Sequence, residues 1–198
     1  MKKSLLLLLL LPLMAVAGFA QESRQDVSVS GSALIPPFVA GNAVQLHATV
    51  GYGVLVSYRY LLTPRSGLEL NYQYAQEIQH YINPTNNILV HNRFQEISGA
   101  YVYNFSYKNF NPFLEGGIGG YIYGPIDDQK TQLQNLSQST NIGALYGGGI
   151  AYEISPSFDI RVEYRGIVVK SPSFGQGDLK TNRYFNINDP VIGVAYHF

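Results

Sequence analysis

In this 198-residue chain, the side chains that could most readily take part in catalysis or bind a metal are those of three histidines, His47, His80 and His91. Nucleophilic catalysis on an acyl group needs a histidine, a serine and a carboxylate within hydrogen-bonding reach. No His-x-Ser pair accompanies these histidines, and their spacing matches no metal-ligand motif. We therefore predict no catalytic residue, no metal site and no bound cofactor, with catalysis and a convergent metal site as the weaker alternatives.

Two glycine clusters, at 116–120 and 147–149, are the next candidates for a binding site. A phosphate-binding loop needs a strand that runs through such glycines into a helix, and that context is absent here. The clusters instead favour bends or close approach of backbones within strands.

Charged and apolar residues alternate with a period of two, most clearly in FDIRVEYR, Phe158 to Arg165. Apolar residues at even positions and charged residues at odd positions fall on opposite faces of a β-strand, whereas a helix would mix them. The same count predicts eight strands, at about 26–35, 52–62, 68–76, 92–105, 113–123, 142–154, 158–169 and 187–198.

The predicted connections alternate between long and short. The long ones, 36–51, 77–91, 124–141 and 170–186, are rich in polar residues, Gly and Pro, and are separated by turn-sized segments at 63–67, 106–112 and 155–157. Placing every long loop at one end of the strands is typical of a barrel that crosses a membrane.

Composition narrows the class of protein. Residues 1–20, with Lys2 and Lys3 before an apolar run, are typical of a secretory signal peptide cleaved after Ala20 or Ala17, which leaves 21–198 as one domain. The chain has no cysteine, and a formal net charge of zero gives no reason to expect nucleic-acid binding. Only 13% of residues are charged, against roughly 25% in soluble domains.

The alternation alone fits a soluble barrel as well as a membrane barrel, and the aromatic residues decide between them. They gather on the apolar faces near the strand ends, where amphipathic rings favour the boundary between lipid and water. We expect all eight apolar faces to point outward and to be free of charge, since a charge facing lipid is costly. The girdle residues are Tyr60, Tyr103, Phe105, Tyr152, Phe158 and Phe198 at the short-turn end, and Tyr52, Tyr74 and Tyr146 at the other end.

The chain resembles the small eight-stranded outer-membrane barrels, similar to OmpX and the transmembrane domain of OmpA, in the outer membrane protein beta-barrel domain family. The resemblance is carried by NPFLEGGIGGYIYG and by the terminal VIGVAYHF. It implies an all-β, eight-stranded antiparallel up-and-down transmembrane β-barrel in a Gram-negative outer membrane. It also implies that Ile192, Val194, Tyr196 and Phe198 form a C-terminal signal read by the barrel assembly machinery.

The inward positions predict an ion-paired lumen, because eight strands enclose a space that side chains fill and buried charges there need partners. A structural or surface-interacting role follows, with a gated pore of weak cation preference as the alternative and an enzyme acting on lipid A as a weaker one. The predicted network is Arg59, Glu69, Glu96, Glu115, Glu153, Asp159, Arg161, Glu163 and Arg165, with a solvated His197 at the rim.

The expected partners follow from this placement. The surroundings would be outer membrane lipid and lipopolysaccharide, and the long loops, including the polar segment DDQKTQLQNLSQST, would face any extracellular ligand. We expect a monomer.

Overall fold

Period-two alternation produces ten β-strands in the computed structural model, which describes residues 24–84, 87–129, 131 and 136–198. The predicted signal segment and both of its cleavage positions lie outside the described residues. Within the described ranges, no helix is long and apolar enough to cross a membrane. The strands are β1 (Gln25–Leu34), β2 (Val39–Gly41), β3 (Val44–Ala48), β4 (Gly51–Thr63), β5 (Ser66–Ile82), β6 (Asn87–Asn104), β7 (Phe110–Pro125), β8 (Ser139–Ser155), β9 (Phe158–Lys170) and β10 (Tyr184–His197).

Eight of these strands close into a barrel. Each pairs antiparallel with its neighbours in the order β1, β4, β5, β6, β7, β8, β9, β10, and β10 returns to β1. Closure leaves no open sheet edge along the barrel wall, which is the condition for strands to lie in hydrocarbon. The prediction of an eight-stranded antiparallel up-and-down barrel is confirmed.

The strands β2 and β3 form a hairpin at the long-loop end, in a segment that the sequence predicts to be loop. β5 continues to Ile82, well past its pairing with β4, and β3 pairs with this extension from Gln45↔Ile82 to Ala48↔Gln79. The predicted loops 36–51 and 77–91 are therefore partly wrong. The hairpin satisfies backbone groups of β5 that β4 no longer reaches.

The amphipathic faces are inverted relative to a soluble barrel. On β5, Leu70 is 58% exposed while its neighbour Asn71 is 1% exposed. All nine predicted girdle aromatics lie on the outer surface. Pairs of rings touch at the short-turn end, with centroids 5.1 Å apart in Tyr103 and Phe105 and again in Phe158 and Tyr196.

One expectation about the outer surface is wrong. Arg93 on β6 lies between the fully buried Asn92 and Phe94, so its own side chain points outward and is exposed. It sits at the long-loop end of the barrel wall, opposite Gln76 of β5.

The interior has two parts. Toward the short turns it holds charged and hydroxyl side chains, whereas toward the long loops it holds an apolar core that includes Phe94, Leu145 and Ile167. A small polar group is buried at this end as well, since Gln79 and Asn92 donate hydrogen bonds to Glu77.

Candidate functional site: the charged interior and the apolar mouth

Arg165 of β9 is the centre of the charged interior. It is fully buried, and four carboxylates surround its guanidinium group. Such a cluster in a closed interior must be paired to be tolerated, because an isolated buried charge is strongly disfavoured. The nitrogen–oxygen distances are 2.5 Å to Glu96, 3.2 Å to Asp189, 3.4 Å to Glu163 and 3.7 Å to Glu115.

A second cluster lies nearer the short turns, around Arg161 and Arg59. Arg161 lies 2.9 Å from Asp26 and 3.7 Å from Glu69, and Arg59 lies 2.6 Å from the same oxygen of Glu69. The ring of Phe113 packs under both cations, with its centroid 4.7 Å from Arg59 and 5.8 Å from Arg161. The ring of Phe113 therefore packs against two arginines, and the carboxylate of Glu69 bridges them.

Seven of the nine residues in the predicted network lie in these two clusters, and Asp159 and Glu153 do not. The imidazole of His197 lies 2.8 Å from the buried carboxylate of Asp159, so His197 is engaged by this side chain rather than solvated. Glu153 lies at the end of β8, directly opposite Asp159, and forms no ion pair with any residue in the described part of the chain.

Sequence reasoning missed Asp26, Asp189 and Gln73. All three are buried, and Gln73 donates hydrogen bonds to Ser32 at 2.7 Å and Asp189 at 2.9 Å. The alternation that places Val27 and Val29 on the outer face of β1 already puts Asp26 inside. In the same way, the outward Ile192 and Val194 imply that Asp189 faces inward.

Two inward glycines of β8, Gly147 and Gly149, leave room for side chains of the two charged clusters. A Cβ at Gly147 would lie 2.6 Å from an oxygen of Glu115, and a Cβ at Gly149 would lie 2.8 Å from the ring of Phe113. The 147–149 glycine run therefore serves close approach of side chains to the backbone, as its strand context indicated.

The apolar core closes the other end of the barrel. Phe174 and Leu179, in the segment between β9 and β10, are fully buried in it. Tyr81 of β5 holds this segment, because its hydroxyl donates to the carbonyl of Pro172 at 3.1 Å and its ring meets Phe174 edge-on at 6.3 Å. The segment between β9 and β10 thus fills the mouth of the barrel.

The three candidate histidines occupy outward positions on β3, β5 and β6. His47 of β3 is the direct partner of His80 on β5. His91 of β6 contacts Asp128 at 2.6 Å, and no hydroxyl in the described ranges bonds to its imidazole. Among the described residues, no group of three or more acidic or histidine side chains is placed to hold a metal ion.

A family model described as outer membrane protein beta-barrel domain matches residues 6–198. No curated protein matches the chain. Among solved structures, Neisserial surface protein A is 15% identical with a TM-score of 0.61, over 89% of this chain and 98% of that one. OprG from Pseudomonas aeruginosa is 12% identical with a TM-score of 0.64, over 89% and 97%.

A third solved structure, Ail, is the attachment invasion locus protein of Yersinia pestis in complex with the heparin analogue sucrose octasulfate. It is 15% identical with a TM-score of 0.53, and the match covers 90% of this chain and 100% of that one. At these identities the likeness concerns the fold alone.

Proposed function

The chain belongs to the outer membrane protein beta-barrel domain family, and we propose that it is a barrel closed to solutes with a structural or surface-interacting role. Family membership implies the bacterial outer membrane and makes the short turns periplasmic and the long loops extracellular. One observation carries the proposal: the interior is filled at two levels, by the ion pairs around Arg165 and by Phe174 and Leu179 at the mouth.

The same proposal covers export, assembly and the outward-facing surface of the barrel. Residues 1–20 direct export and are removed after Ala20 or Ala17. The outward Ile192, Val194, Tyr196 and Phe198 present the last strand to the barrel assembly machinery, and the finished barrel is a monomer. The charged clusters set the shape of the interior. The extracellular hairpin and loops are the surface for an outside partner, a role for which Ail, an attachment protein of similar fold, offers a parallel.

A gated pore is the second candidate, and the charge balance of the interior favours it. Eight acidic side chains are buried, whereas only three arginines are buried with them in the described ranges. Both polar atoms of the Asn71 side chain are also buried without a hydrogen-bond partner in the described part of the chain. An interior of this kind would admit cations in preference to anions if the mouth opened.

Electrical measurement separates the two candidates. We expect the refolded protein in a planar lipid bilayer with potassium chloride to produce no conductance steps, because ion pairs and the apolar mouth block the path. A Phe174→Ala/Leu179→Ala variant is expected to remain closed, since the cluster at Arg165 is untouched. Heat-modifiable gel migration verifies that each sample is folded. Discrete cation-selective steps from the wild-type protein would overturn the closed barrel in favour of the pore.

A further inference from the structure

The segment between β9 and β10, residues 171–183, covers the apolar core at the long-loop end, and we call it the mouth segment. Its side chains Phe174 and Leu179 are fully buried. The backbone at Phe174 has a φ of 48°, in the left-handed region that a bulky residue rarely adopts. Such a conformation persists only where surrounding contacts hold it, so the mouth segment depends on the groups that fasten it.

A chain of hydrogen bonds on β5 connects the mouth segment to a buried carboxyl group. The hydroxyl of Tyr81 lies 3.1 Å from the carbonyl oxygen of Pro172 and 2.9 Å from the side-chain oxygen of Gln79. The amide nitrogen of Gln79 in turn donates to Glu77 at 2.7 Å. Because a tyrosine has one hydroxyl proton, Tyr81 donates either to Pro172 or to Gln79. Only the bond to Pro172 fastens the mouth segment.

Glu77 is the acidic member of this chain of bonds, and its surroundings favour the neutral carboxylic acid. Its side chain is 4% exposed, and Asn92 of β6 donates to the same oxygen as Gln79, at 3.1 Å. The other carboxyl oxygen has no hydrogen-bond partner in the described ranges. Two neutral amide donors on one oxygen do not compensate for the burial of a full charge.

The groups that face Glu77 from the neighbouring elements are uncharged. Tyr81 on its own strand and Tyr123 of β7 are the titratable ones, and a phenol is neutral at physiological pH. From β4, Gly51 approaches so closely that a Cβ there would lie 3.2 Å from the Cβ of Glu77. The described inward residues at this level of the other strands and of the mouth segment carry no charge, and they include Leu34, Val169, Phe174 and Phe185.

The direction of the pH dependence follows from the burial of Glu77. This residue lies three positions beyond the girdle residue Tyr74, where β5 extends past its pairing with β4, and therefore outside the hydrocarbon. Burial raises the pKa of Glu77 from its ordinary value of 4.5 to about 7. The covered state thus holds the proton more tightly than a state in which water reaches Glu77. Stability of the covered state is complete at acid pH and is lost as the pH rises through this window.

We propose that Glu77 is a proton-operated latch, which keeps the mouth segment fastened at acid pH and loosens it as the carboxyl group ionises. An ionised Glu77 strengthens the hydrogen bond from Gln79 and makes the Gln79 oxygen a better acceptor. That oxygen then competes more strongly with the carbonyl of Pro172 for the Tyr81 proton. The unpartnered carboxylate oxygen also requires water, which the apolar core excludes until the mouth segment moves. The ion pairs of Arg165 stay in place in both states.

The test places a nitroxide label on the mouth segment of the full barrel in phosphatidylcholine vesicles. Gln176 is exposed, its side chain makes no capping hydrogen bond, and the chain has no cysteine, so Gln176→Cys takes a single label. Electron paramagnetic resonance gives the ratio of mobile to immobile label. We expect this ratio to rise about tenfold or more between about pH 5 and about pH 8.

Three further substitutions in the labelled barrel locate the effect. Glu77→Gln keeps the shape of the side chain and cannot ionise, so the label is expected to stay immobile across the pH range. Tyr81→Phe removes the bond to Pro172 and is expected to raise the mobile fraction at acid pH. The matched control is Glu153→Gln, which removes a half-buried inward acid at the short-turn end and is expected to leave the pH dependence unchanged.

Two results would overturn the latch. One is a mobile fraction that does not change with pH in the labelled barrel, and the other is the same pH dependence in Glu77→Gln. The first result needs no substitution at position 77, so it decides the matter where heat-modifiable migration shows that Glu77→Gln is unfolded. The conductance measurement reports on the path past Arg165, whereas the label reports on the mouth segment, so failure of the latch is distinguishable from failure of the closed-barrel proposal.

Discussion

Replacing Arg165 with leucine is expected to lower the free energy of unfolding by about 3–5 kcal/mol or to prevent folding. The guanidinium group is the shared counter-charge for Glu96, Asp189, Glu163 and Glu115, at 2.5 to 3.7 Å. Without it, the four carboxylates lose the cation that they share, and the other buried arginines, Arg59 and Arg161, are paired with Glu69 and Asp26. Urea titration in detergent micelles, read by the gel mobility of folded and unfolded protein, measures the loss.

The control for this prediction is Arg65→Leu, which removes an exposed arginine from the turn between β4 and β5. We expect its free energy of unfolding to stay within about 0.5 kcal/mol of the wild type. Adding Glu96→Gln and Asp189→Asn to Arg165→Leu is expected to restore part of the stability, since two buried charges are then removed. Equal stability of Arg165→Leu and Arg65→Leu would show that the cluster does not support the fold.

Replacing Leu70 with arginine is expected to lower the free energy of unfolding in lipid by about 2–4 kcal/mol. Leu70 is 58% exposed and lies midway between Ser66, beside the short turn, and Tyr74, so its outward surroundings in the membrane are acyl chains. A charge there loses its hydration and has no partner. Urea titration of the barrel folded into lipid vesicles measures the change.

Tyr107→Arg provides a matched control, because Tyr107 is 67% exposed in the short turn between β6 and β7. In water, arginine at either exposed position would be tolerated, so exposure alone predicts the same small effect for both. A lipid-facing Leu70 predicts a large effect at position 70 and almost none at position 107. Small, equal effects would contradict the membrane placement.

Alternation along the strands made most of the barrel predictable. In Phe158 to Arg165 the apolar and charged residues separate cleanly, and the structure places Asp159, Arg161, Glu163 and Arg165 inside. An outward apolar residue and an inward charge are both fixed by the geometry of one strand. Whether two inward charges meet depends on the register between strands, which is why alternation alone assigns Glu153 to a network that it does not join.

The structure of the long-loop end is harder to predict from the sequence, for physical reasons. The inward Tyr81 and the outward Ile78 and Ile82 are all apolar or amphipathic, so the alternation that marks a half-buried strand fades along this part of β5. The burial of Phe174 and Leu179 depends on a chain reversal between β9 and β10. The prediction that no outward residue carries a charge fails at Arg93. An outward charge is costly only within the hydrocarbon, so the prediction holds only at that depth.

The central claim is that the apolar face of the strands contacts lipid. Because the chain has no cysteine, Leu70→Cys and Tyr107→Cys each accept a single nitroxide label. In vesicles, the label at position 70 is predicted to collide more often with oxygen, which concentrates in acyl chains, than with a water-soluble nickel chelate. The label at position 107 should show the reverse. A label at position 70 that collides more often with the nickel chelate would contradict the account.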